Sequence, residues 1–154
     1  MKYVTLLFSF FCLNLNAQVD IEILQEKTEI FVLANNKIKI HKYAKKIIYD
    51  NVENESANFY VSYKRNFKPK IKYIKILDLH GNLLKYVKKT EIFHHNWSPN
   101  NVVYSEYFKC FYELDRPELP YVIEYEYELV LDDFLTLPSW IPLSYNTTSK
   151  KSSL

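Results

Sequence analysis

Glycine is nearly absent: of 154 residues only Gly81 is one. Loops that cradle phosphate need several residues free to adopt positive φ, so nucleotide-triphosphate and dinucleotide enzymes of the familiar kinds are excluded. Arginine is almost as scarce. Of the 20 basic residues, only Arg65 and Arg116 are arginine, and the formal net charge is +2. Bidentate recognition of phosphates and bases favours the guanidinium fork, so neither nucleic acid nor an anionic membrane surface is indicated as a partner. Cysteine occurs twice, as Cys12 and Cys110. Only Cys110 lies outside the N-terminal apolar run, so no internal disulfide is expected and stability must come from packing.

The opening segment "MKYVTLLFSFFCLNLNAQ" has a basic Lys2, an apolar run from Tyr3 to Leu13, and a small residue, Ala17, before Gln18. This reads as a secretory signal peptide over residues 1–17, with cleavage after Ala17 and a mature chain over 18–154. The run is shorter than the roughly 20 apolar residues that a bilayer span takes. Phe11 before Cys12 is too bulky for a lipoprotein cleavage site. The expected destination is periplasmic or secreted, without stable membrane insertion.

Aromatic residues are abundant, with 14 Tyr and 10 Phe. They recur with β-branched residues in short runs punctuated by Asn, Pro and Asp: "EIFVLA", "AKKIIYD", "ANFYVSYKR", "KIKYIKILDL", "NVVYSEYFKCFYEL", "PYVIEYEYELVL" and "WIPLSY". These read as strands. "LDLHGNLLKY" predicts a hairpin turning at Gly81, whereas "LLKYVKKTEIF" suits a strand or one or two helical turns. "HHNWSPNN" reads as a loop. With short connections and no long amphipathic helix, the fold class is all-β, a single antiparallel β-sandwich domain.

In the run from Tyr121, alternation puts Tyr121, Ile123, Tyr125, Tyr127 and Leu129 on one face and Glu124, Glu126 and Glu128 on the other. Carboxylates spaced about 7 Å apart along a strand cannot converge on one cation, so the row predicts a solvated face opposed by lysines such as Lys72 or Lys75. Cys110 falls on one face with Phe108, Tyr112 and Leu114 and reads as a core thiol. Nothing in the spacing brings His94 or His95 to it. Adjacent histidines in extended chain point apart, and His41 and His80 stand isolated, so no metal site is expected. No catalytic residue and no cofactor are assigned. The alternative reading is a carbohydrate-binding module in which Trp97, Tyr104 and Trp140 form an exposed stacking strip.

"ANFYVSYKR", "IKYIKILDLHGNLLK", "YSEYFKC", "PELPYVIEYEYE", "LPSWIPL" and "SKKSSL" follow in an order that resembles one family. It is the domain of unknown function found N-terminal to transglutaminase-like domains in exported bacterial proteins, especially those of Bacteroidetes. Glu106 departs from the pattern, which has aspartate there. The resemblance implies a β-sandwich with a supporting or recognition role, partnered by a transglutaminase-like domain or another polypeptide. The Cys, His and Asp of that neighbouring domain have no counterpart here, so its chemistry does not pass to Cys110 or His94. It also implies further strands beyond "SKKSSL". The expectation is therefore a truncated sandwich, or a short stand-alone relative, acting as a non-catalytic exported module.

Overall fold

The computed structural model describes residues 20–50, 59–96, 106–114, 118–132 and 147–153. They form ten strands: β1 (Ile21–Val32), β2 (Ile38–Ile48), β3 (Phe59–Lys64), β4 (Lys70–Leu77), β5 (Leu83–Tyr86), β6 (Phe93–Asn96), β7 (Tyr107–Tyr112), β8 (Tyr121–Leu131), β9 (Thr147–Ser149) and β10 (Ser152–Ser153). A larger sheet runs in the order β10-β1-β2-β8-β4-β5, with β9 beside β10 on β1. A smaller sheet runs β3-β7-β6. Neighbours pair antiparallel, except that β9 and β10 lie parallel to β1. The sandwich expected from the strand-rich pattern is what forms.

Alternation along β8 decides where the core sits. Tyr121, Ile123, Tyr125 and Leu129 are buried, and opposite them in register lie Ile48, Ala44 and Ile40 of β2 and Ile74 and Ile76 of β4. The smaller sheet closes over this face with Phe59, Val61 and Tyr63 of β3 and Cys110 and Tyr112 of β7. Phe59 joins the layers, meeting the rings of Tyr125 and Tyr127 edge-on at centroid distances of 5.1 and 5.9 Å. Edge-to-face geometry sets the positive ring rim against a negative face, which adds to the gain from area burial.

Bulges in β1, β4 and β5 break the registers, the last of them at Leu84, and those in β1 and β4 reset which residues face inward. In β1 the register skips Leu24, so Ile21 and Ile23 face the core and then Glu26 and Thr28 do. Glu26 is buried there and bonded to Lys42 of β2 at 2.5 Å, which satisfies the carboxylate. In β4 the register skips Lys72, between Ile71 opposite Tyr127 and Tyr73 opposite Glu126. One extra residue switches the parity of everything after it.

The predicted hairpin turns at Gly81, whose φ is +88°, a left-handed value that side chains resist. Asp78 caps it by accepting from the backbone N–H and the side-chain amide of Asn82, both at 2.8 Å. The ambiguous stretch after it divides: residues 83–86 pair as β5, and Lys89–Glu91 make one 3-10 turn. Two expectations need correction. The strands "EIFVLA" and "AKKIIYD" are the ends of longer strands beginning at Ile21 and Ile38. "HHNWSPNN" is not wholly loop, since Phe93–Asn96 pairs with Phe111–Phe108 of β7; a polar run becomes a strand when a neighbouring strand supplies its hydrogen bonds. "WIPLSY" lies outside the described residues.

Candidate functional site

The three glutamates of β8 occupy the outer face of the larger sheet; Glu124 and Glu126 meet basic groups from both flanks and Glu128 from β4. Glu124 lies between Lys45 of β2 at 3.6 Å and Lys75 of β4 at 3.8 Å. Glu126 accepts from His41 Nε2 at 2.7 Å and has Lys72 at 3.4 Å; Glu128 has Lys72 at 3.1 Å. Lys72 and Lys75 are three residues apart and could not share a face of a regular strand. The bulge at Lys72 permits it, and both expected lysines are found opposite the glutamates. Among the described residues no group of three or more His, Cys, Asp or Glu gathers to hold a metal ion.

His41 is not isolated, contrary to expectation. Its Nδ1 faces Glu29 Oε2 of β1 at 3.0 Å while its Nε2 faces Glu126 Oε1 of β8. Both ring nitrogens thus lie within hydrogen-bond reach of a carboxylate, one from each neighbouring strand. His41 thereby links three adjacent strands. Sequence gave no signal, because the partners come from chain segments far apart. His41→Ala is expected to lower stability by about 1–2 kcal/mol, read from the urea midpoint, since two charge-assisted hydrogen bonds disappear.

These contacts also set an acid dependence. Burial pushes the Glu126 carboxyl up, but hydrogen bonds from His41 and Lys72 outweigh it and hold it below the usual glutamate value of 4.5. The Lys72 ammonium does the same for Glu128, and Lys27 with His41 does so for Glu29. A carboxyl depressed in the folded state contributes stability that is complete above its unfolded value and is lost as pH falls through its folded value. The share of the chemical-denaturation midpoint that these carboxylates contribute should therefore be constant above about pH 5 and fall below about pH 4. Replacing Glu126 and Glu128 together by Gln should flatten that decline.

The thiol is buried as expected, with Cys110 wholly excluded from solvent opposite Val61. It has a neighbour that spacing did not reveal. The β6–β7 register pairs His94 with Cys110, leaving His94 Nε2 4.0 Å from Sγ, while His94 Nδ1 lies 2.8 Å from the Tyr63 hydroxyl. Burial pushes the Cys110 thiol up to about 11, only partly opposed by the Lys68 charge. Burial and then Lys68 push the His94 imidazole down. Both shifts favour neutral groups near pH 7. An activated thiol needs the opposite, a depressed pKa and a base within about 3.2 Å. The arrangement suits an exposed histidine at a sheet edge whose ring is bonded to the Tyr63 hydroxyl.

Trp97, Tyr104 and Trp140 lie outside the described residues. Among the described outward aromatics, Tyr60 carries the Lys109 ammonium 5.6 Å from its ring centroid, and Tyr73 carries that of Lys75 at 4.4 Å. Their faces are already occupied by cations. No helix among the described residues is long and apolar enough to cross a membrane.

No family model and no curated protein matches the chain. A crystal structure from Parabacteroides distasonis, described as that of a "putative protease", is similar in fold with a TM-score of 0.60 at 11% identity, over 74% of this chain. The match takes in 23% of that protein, so this chain spans about a quarter of its length. At such identity the likeness concerns the fold alone.

Proposed function

We propose that the chain is an exported, non-catalytic accessory module that recognises a polypeptide, in the manner implied by its resemblance to the domains that precede transglutaminase-like domains. One observation carries this reading. β5 ends the larger sheet with Leu83, Leu84 and Tyr86 exposed, and among the described residues only β4 pairs with it. A free strand edge offers backbone donors and acceptors to another extended chain, and apolar side chains beside it give that chain something to bury.

Two further features support recognition over catalysis. The carboxylate row is matched by lysines and His41, and the only described cysteine is buried beside a neutral histidine. Screening the full chain against peptide and glycan arrays tests the reading. Saturable binding to extended peptides that are recovered uncleaved is expected. Binding to glycans alone would transfer support to the carbohydrate-binding alternative, and peptide cleavage lost in Cys110→Ala would make the chain a hydrolase instead. Export has its own check: the protein recovered from an exporting bacterial host should begin at Gln18 by intact mass.

A further inference from the structure

Resting on that reading of a polypeptide-binding module, we infer that the free edge of β5 takes an extended peptide antiparallel to it, with apolar residues at alternate positions and an acidic N-terminal end. Which end of an antiparallel guest is acidic follows from where charge is left over. Residues 78–91 contain two carboxylates, Asp78 and Glu91, and both are engaged within the segment. Asp78 accepts from Asn82, and Glu91 accepts from Lys85 Nζ at 2.6 Å and from the Lys88 backbone N–H at 2.8 Å. Lys88 and Lys89, which continue the chain from the end of β5, are exposed and have no salt bridge among the described residues. Glu91 offsets part of the charge of Lys85 and Lys88, and the C-terminal end of this edge stays net positive.

The backbone supplies the rest. The Val87 N–H binds the Ile74 carbonyl at 3.0 Å, so at Val87 the chain still turns its hydrogen-bonding groups toward β4. In an antiparallel ladder these groups alternate sides from one residue to the next. Tyr86 thus directs its N–H and C=O outward, away from β4, where no described strand meets them. A peptide pairing antiparallel there places its N-terminal end beside Lys88 and Lys89. Its side chains then reach the exposed Tyr86 and, beside it, the exposed Leu84, which the β4–β5 register skips as a bulge. A second copy pairing antiparallel through the same edge would set its turn around Asn82 beside Lys88 and Lys89, where the nearby Asp78 carboxylate is already engaged by Asn82, so it would not neutralise them as an acidic guest does.

The test uses the full chain and the labelled peptide acetyl-Asp-Glu-Val-Thr-Val-Thr-Val-amide, against a control with Lys-Lys replacing Asp-Glu. Fluorescence anisotropy is expected to show about tenfold tighter binding of the acidic peptide at low salt, from two surface ion pairs. The Lys88→Glu, Lys89→Glu double variant should reverse the preference. Tyr86→Pro removes an outward N–H without touching a bond to β4, and should abolish binding of both peptides while leaving the unfolding midpoint close to that of the parent. Hydrogen exchange should show new protection at the Tyr86 amide when the acidic peptide is bound.

Equal binding of the two peptides, or a preference that survives the double charge reversal, would overturn the assignment of the guest. Array peptides that bind undiminished to Tyr86→Pro, with protection elsewhere, would overturn the β5 site and leave polypeptide recognition standing. An array that yields no peptide at all would remove the underlying reading itself.

Discussion

Phe59→Ala is expected to cost about 3–5 kcal/mol, the range for removing a large buried aromatic and leaving its cavity. Phe59 is fully buried, sits on the smaller sheet, and makes its ring contacts with Tyr125 and Tyr127 of the larger one. The substitution therefore empties the join between the layers. Native domains hold only about 5–15 kcal/mol in total, so the loss consumes a large share and can unfold the chain outright. Urea unfolding followed by fluorescence and near-UV circular dichroism measures it, with coincident transitions confirming a single cooperative unit. Tyr60→Ala is the internal control. It lies next along the same strand, exposed, and should shift stability by less than about 1 kcal/mol. A Phe59→Ala effect as small as that of the control would mean that the two sheets do not depend on this contact.

The second large effect concerns the thiol. With its pKa pushed up to about 11, Cys110 has a thiolate population at pH 8 roughly two orders of magnitude below that of an ordinary cysteine. Complete burial suppresses attack further, because reagent reaches the sulfur only when the structure opens. Ellman's reagent should therefore label the native chain far more slowly than the chain in urea. His94→Ala should not slow the native reaction, since a neutral imidazole 4.0 Å away does not activate the sulfur. Rapid native labelling that depends on His94 would identify a working thiol–imidazole pair and refute the neutral assignment.

Features set by simple periodicity were legible in the sequence. The faces of β8, the turn at Gly81 and the burial of Cys110 follow from alternation and turn chemistry, and the structure has all three. Bulges were not legible, because an inserted residue leaves no compositional mark. Read as a regular strand, β1 would bury Gln25 and Lys27 in place of Glu26 and Thr28. Lys72 would likewise point away from Lys75. Pairings between distant segments were hidden for a different reason. His41 meets Glu126 and His94 meets Cys110 only through strand order and register, which one sequence does not encode locally. The β6 residues looked like loop because their polar side chains hide a backbone that β7 holds extended.

The parallel pairing of β1 with β9 and β10 has a consequence for the order of events in folding. Ile21 is matched to Thr147 and Glu26 to Ser152, so one edge of β1 is closed by residues far along the chain from it. The other edge zips with β2 through a short local turn, an early and inexpensive step. Contacts across so long a separation form late and slowly. During synthesis β1 therefore stays half-finished until β9 and β10 have been made, and completion of this edge waits for them.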